Sequence, residues 1–187
     1  MSTYPLAQLS PQGITLDSPE LRTIRSWDFG KDVFYRAQVP RLLEFDIPQL
    51  VQFDNCRVWS YHDPAAGKEI VGFGTLTMSD IYERYTAGRR HCYIPLLAVN
   101  PDFEGRGYGR AIVEHLIAQA ATVLHVWPTQ SLSEKLFLDV YTANGPACKL
   151  YCEKCQFVIL NPDAPIPDPE ENNEPYVIMA RNIAISP

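Results

Sequence analysis

Along the chain the spacing of apolar residues changes several times, and each change marks an element. Residues 57–62 and 69–78 read as strands, and the turn-rich Asp63-Pro64-Ala65-Ala66-Gly67-Lys68 between them predicts a hairpin. Residues 93–99 are almost wholly apolar, which predicts a central strand. From 107 to 121 the period becomes helical, with Ile112, Val113, Leu116, Ile117 and Ala120 on one face. A loop is expected over 127–133. Residues 136–141 read as a strand, where Val140 and the aromatics favour extended backbone. Asn144 is placed to cap a helix over 145–154, with Pro146 tolerated in its first turn. Final strands are expected at 157–160 and 176–181.

The pattern is weaker elsewhere. Residues 1–12 read as loosely ordered and 14–16 as a short opening strand. Over 26–50, Val33, Phe34, Leu42, Leu43 and Phe45 are interrupted by Pro40 and Pro48, which predicts two short helices with a break. Residues 161–175 hold five prolines, five acids and no basic residue, and read as a mobile excursion. Strands first, a strand–helix–strand–helix unit, then a closing pair predict an α/β or α+β architecture. Its strands form one mixed sheet, in a single domain over 13–187.

A chain of 187 residues buries a sizeable core without staples. Hydrophobic content of 46% with 20% charged residues is ordinary for a globular protein. The formal net charge of −6 argues against a nucleic-acid or anionic-membrane partner, since both reward a basic surface. No apolar stretch approaches the roughly 20 residues needed to cross a bilayer. The first residues lack the basic start and apolar run of a secretory signal, so the expected location is cytoplasmic. Five cysteines make an odd set, and Cys148, Cys152 and Cys155 follow i, i+4, i+7 spacing. That spacing is one helix face of small apolar residues, and a zinc site would lack its fourth ligand. No metal is expected.

The chemistry concentrates in Pro95-Leu96-Leu97-Ala98-Val99-Asn100-Pro101 and the glycines that follow, Gly105, Gly107 and Gly109. Three glycines where a strand hands over to a helix bare backbone N–H groups at the positive end of a helix dipole, a cradle for phosphate. The spacing G-x-G-x-G fails the dinucleotide fingerprint, which needs G-x-G-x-x-G in the first strand–helix turn and an acid about 20 residues on. A Walker loop fails too, because no Gly-Lys-Ser or Gly-Lys-Thr follows.

Leu97-Ala98-Val99-Asn100-Pro101, then Glu104-Gly105-Arg106-Gly107-Tyr108-Gly109 with Arg110, then the helix, resembles the acetyl-CoA motif of the GCN5-related N-acetyltransferases (GNAT). Asn144, Ala147, Leu150-Tyr151 and Glu153-Lys154-Cys155-Gln156-Phe157 resemble that family's second element. The likeness spans about 58–181, with the acyl-CoA core at 93–157. It implies a central mixed, mostly antiparallel sheet flanked by helices, acetyl-CoA as co-substrate, and an amine acceptor. Family members often form dimers, so a homodimer is an open expectation. Glu104 stands where the family usually has Gln or Arg, and an acid near phosphate is unfavourable at short range; Arg106 and Arg110 are near in sequence to compensate. Gln156 replaces the usual glycine.

The resemblance further implies direct attack of the amine on the thioester. Tyr151 would protonate the CoA thiolate, its hydroxyl having a reference pKa of about 10; read alone, it fits a core aromatic better, and the matched motif reverses that order. Backbone groups of Leu97 to Val99 would polarise the carbonyl. Asn144 would touch the pantetheine, cap its helix, or both. For the general base, His91, Tyr93, Glu83, Asp80 and a water chain stay open, with His91 and Tyr93 sharing a strand face. For the acids of 161–175 two readings stay open, a solvated loop or an attraction for a cationic amine. Two other readings keep the cofactor: a transferase for another acyl chain, and a CoA-binding regulatory module without turnover.

Overall fold

A computed structural model describes residues 9–15, 18–27, 56–67, 69–126, 132–169 and 172–183. The protein mixes helices and strands, with its strands mostly antiparallel, as expected. Its backbone divides into two compact units: Met1–Thr77 with Leu96–Leu116, and Met78–Pro95 with Ile117–Pro187.

In the first unit, β1 (Ser10–Gly13), β2 (Arg57–His62), β3 (Ile70–Ser79) and β5 (Leu97–Val99) form an antiparallel ladder in that order. The opening strand thus lies just ahead of the expected 14–16, although the Ile14 amide still bonds to the Val58 carbonyl. Helix α1 (Pro19–Arg25) escaped the sequence reading. Its signals are Ser18 before Pro19, which presets the first turn, and Leu21 and Ile24 one turn apart, both buried. They join Val58, Ile70, Phe73 and Ala98 in one apolar cluster. The expected helices over 26–50 lie, from residue 28 on, outside the described residues.

Helix α2 (Tyr108–Val126) runs five residues past its expected end. Ile112, Val113, Leu116 and Ala120 of the predicted stripe are fully buried and form its inner face, with Ile117 half-buried at its edge. Glycines in β3 let it come close: a Cβ on Gly72 would sit 2.4 Å from Ile112 Cδ1 and 2.9 Å from the Ala98 carbonyl oxygen.

The strand expected over 93–99 is instead two: β4 (Arg90–Tyr93) and β5, separated by Ile94-Pro95-Leu96. Pro95 brings no N–H to a ladder, and the chain changes partner around it. Ile94 N donates to Phe137 O at 2.9 Å, whereas Leu96 O accepts from Thr75 N at 2.9 Å.

In the second unit β4 pairs parallel with β6 (Leu132–Tyr141), and β6 pairs antiparallel with β9 (Glu174–Asn182). β7 (Val158–Ile159) and β8 (Ile166–Asp168) both lie against β9. The stretch 161–175 is therefore no unstructured excursion: β8 and β9 make a hairpin within it. Pro167 faces Pro175, which most strands would not tolerate. The Pro175 carbonyl accepts from Thr142 N at 2.9 Å, so this residue turns its polar group toward β6 and away from β8. Pairing between two such positions needs no proline N–H. Helix α3 (Gly145–Lys149) continues as a single π turn over Leu150–Lys154. Among the described residues, no helix is long and apolar enough to cross a membrane.

Candidate active site

The glycine turn belongs to the first unit. Asn100 opens it, accepting from Asp102 N at 3.1 Å and donating from its amide to Ile70 O at 3.1 Å. Gly105 and Gly107 take φ of +72° and +88°, a region that side chains disfavour, and a Cβ on either would point into open space. Backbone here is thus bare on its outer side, immediately ahead of α2. The first turn of a helix directs its N–H groups outward along the axis, where an anion is favoured.

The side chains of the turn divide. Tyr108 is buried, stacks edge-on with Phe103 and donates its hydroxyl to Asp63, which caps the 3₁₀ turn Pro64–Ala66. Its side chain ties the turn to the β2–β3 loop and leaves only its backbone for a ligand. Arg106 lies over the Phe103 ring and donates to Asp102 O at 3.1 Å. Arg110 pairs with Glu114 at 2.7 Å. Glu104, Arg106 and Arg110 are all exposed.

Strand β5 adds a second backbone feature. Thr75 pairs with Leu96 and Val71 with Asn100, so the alternation of the ladder makes Phe73–Ala98 a hydrogen-bonded pair. Ala98 is consumed by β3 and buried. Leu97 and Val99 turn their backbone N–H and C=O toward the other edge of β5.

Asn144, Ala147 and Tyr151 lie in the second unit. Asn144 caps α3, accepting from Ala147 N at 3.1 Å. Tyr151 sits on the π turn, 8% exposed, with its ring edge-on to Phe157 at 5.9 Å. π turns insert one residue into a helix and recur at functional sites. Gln156 follows at φ +60°, and Phe157 N closes onto Tyr151 O at 3.0 Å. Among the described residues Cys148, Cys152 and Cys155 form no disulfide, and no metal-binding cluster occurs.

Of the candidate bases, His91 and Tyr93 do share a face: each ring packs on Tyr82, at 5.9 and 5.8 Å. His91 is fully buried, 4.4 Å from the Phe137 ring, with neither nitrogen hydrogen-bonded. Burial lowers its pKa. Tyr93 instead donates to Asp139 Oδ2 at 2.7 Å, and Tyr82 donates to the same oxygen at 2.5 Å. Burial raises the Asp139 carboxyl, opposed by those two hydrogen bonds. Burial also raises both tyrosines, with the Asp139 charge adding to it.

Asp139, Tyr82, Tyr141, Asp168 and Tyr176 line one pocket of about 370 Å³, with Ile81 and prolines 167 and 169 completing it. Sequence reading named none of the first three. A signal was present: Phe137, Asp139 and Tyr141 alternate with the apolar Leu136, Leu138 and Val140, so the carboxylate shares the face of the two aromatics.

A profile of the Acetyltransferase (GNAT) family matches residues 19–157, most of the chain. The chain belongs to the GNAT acetyltransferase family. Solved structures agree on the fold of this acetyltransferase. Spermidine/spermine N-acetyltransferase SpeG from Vibrio cholerae is 19% identical, with a TM-score of 0.61, covering 95% of this chain and 94% of that one. A chimera of the Vibrio cholerae spermidine N-acetyltransferase and hSSAT reaches 0.65 at 19% identity, over 94% and 96%. An acetyltransferase described as putative, from Desulfovibrio desulfuricans, reaches 0.67 at 12% identity, over 94% and 99%. No curated protein sequence matches this acetyltransferase.

Proposed function

We propose that this acetyltransferase moves an acetyl group from acetyl-CoA to a primary amine by direct attack on the thioester. The observation that carries this reading is the pair of left-handed glycines, Gly105 and Gly107, opening α2 with no side chain on their outer face. Backbone N–H groups from 105 to 110 would hold the pyrophosphate, with exposed Arg106 and Arg110 offsetting Glu104. Leu97 or Val99, whose amides turn away from β3, would polarise the thioester carbonyl. Asn144 keeps its capping role and also meets the pantetheine arm beside Ala147.

The neutral amine forms its bond to the acetyl carbon as the carbon–sulfur bond breaks. The amine then loses a proton, and Tyr151 gives its own to the departing thiolate. The nature of the spermidine acetyltransferases among its structural neighbours supports a cationic acceptor. Five cysteines outside any disulfide among the described residues suit a reducing, cytoplasmic setting.

Tyr151→Phe tests the role of the hydroxyl. Acetyl-CoA affinity should hold within about twofold, while kcat falls on the order of a hundredfold or more, the lower end for a positioned proton donor. Free-CoA release over an amine panel reads kcat, and calorimetry reads affinity. A wild-type protein that binds CoA and acetylates no amine would sink the reading in favour of a module without turnover.

A further inference from the structure

The pocket of the second unit combines features that a merely structural cavity has no use for. Two carboxylates, Asp139 on β6 and Asp168 on β8, line a space of about 370 Å³ whose walls are the rings of Tyr82, Tyr141 and Tyr176. Both hydroxyls that reach Asp139 donate to Oδ2, so Oδ1 is left to the pocket. Tyr141 donates to Asp168 in the same way. Burial raises the Asp139 carboxyl and repulsion from Asp168 adds to it, while burial and the charges of both aspartates raise Tyr176. A cation between them relieves that repulsion, and tyrosine faces attract cations in their own right. At the same pocket lies Ile81, one of the two large apolar side chains exposed among the described residues, at 56%. An exposed isoleucine beside half-buried carboxylates matches a ligand with a charged head and an alkyl arm.

We propose that this pocket binds the ammonium end of a primary alkylamine, with Asp139 as its counter-charge and Ile81 against its alkyl arm. It deepens the acetyl-transfer reading above, on which its role as the acceptor subsite rests. Charge on Asp139 attracts the protonated amine, and the nitrogen that is acetylated gives up its proton before it attacks. The tyrosine pair on Oδ2 holds the carboxylate in one rotamer, so Oδ1 keeps a fixed aim. A free diamine and a lysine side chain share this chemistry, and binding tells them apart.

The test is calorimetric titration of the full chain, with and without CoA. One arm uses 1,4-diaminobutane, a second Nα-acetyl-lysine amide, and a neutral control 1,4-butanediol. Saturable binding of either amine, absent with the diol and weakened by salt, is the expected result. Binding by the first amine alone assigns a small free amine; binding by the second alone assigns a peptide side chain. Asp139→Asn should weaken the binding by about tenfold or more, the loss of one charged hydrogen bond. Ile81→Ser, at an exposed position that leaves the fold intact, should weaken it by about threefold or more. The inference is overturned if neither amine binds, if the diol binds as well, or if both variants bind like the wild type. Free-CoA release separates the two readings. Binding without turnover removes acetyl transfer and keeps the pocket, whereas turnover unaffected by both substitutions removes the pocket alone.

Discussion

The hydroxyl of Tyr82 donates to Asp139 Oδ2 at 2.5 Å, from the turn after β3 to the middle of β6. Tyr82 is 7% exposed and also packs on Phe137 and Tyr93. A ring so placed would stay put without its hydroxyl, so Tyr82→Phe isolates one hydrogen bond to a carboxylate. Such a bond contributes about 1.5–3 kcal/mol, and the variant should lose that much in urea denaturation with an unchanged m-value. An unchanged midpoint would show that Tyr93 alone satisfies the carboxylate.

His91 should make stability fall in mild acid. Its folded pKa is depressed by burial below the ordinary value of 6.5, so the unfolded chain binds the proton first. The contribution is complete above pH 6.5 and is lost as pH falls toward the depressed folded value. His115, also depressed by burial, adds its own share. His91→Phe, which fits between the rings of Tyr82 and Phe137, should flatten the decline of Tm between about pH 8 and pH 5 without abolishing it. An identical slope in wild type and variant would refute the assignment.

Gly72→Ala should be the most damaging single methyl in the first unit. The added carbon would overlap Ile112 Cδ1 and press on the Ala98 carbonyl oxygen, and only the isoleucine can move aside. Overpacking of this kind costs about 1–3 kcal/mol, read as a lower Tm. The same substitution at Gly13, where nothing lies within 4 Å, is the control and should be close to neutral.

Gln156 predicts a gain. It is exposed and held at φ +60° just past the π turn, where Phe157 N closes onto Tyr151 O. A left-handed residue with a Cβ costs about 1–2 kcal/mol, which the greater chain entropy of glycine offsets in part. Gln156→Gly should stabilise by about 0.5–1 kcal/mol in thermal or urea unfolding. A loss would mean that the glutamine side chain holds a contact of its own.

Local chemistry was legible without coordinates. The helical stripe of α2, the β2–β3 hairpin, the Asn144 cap and the side-chain-free glycine turn each follow from a few neighbouring residues, because propensity and period act over one or two turns. The hairpin within 161–175 was not: its prolines lower strand propensity, and only the register that sets Pro167 opposite Pro175 makes them harmless. Nor was the division of 93–99, since an apolar run does not say which partner each half will find.

The sequence by itself determined the family, because its marks are local: glycines at fixed spacing within one turn, and the run from Asn144 to Phe157. Tertiary structure alone decided the pocket. Asp139, Tyr82, Tyr93 and Asp168 stand far apart along the chain, and no periodicity relates them. They converge because β6 pairs with β4 on one side and β9 on the other, which brings their side chains together. Burial then does the rest, for a carboxylate changes character only once its neighbours have removed the water.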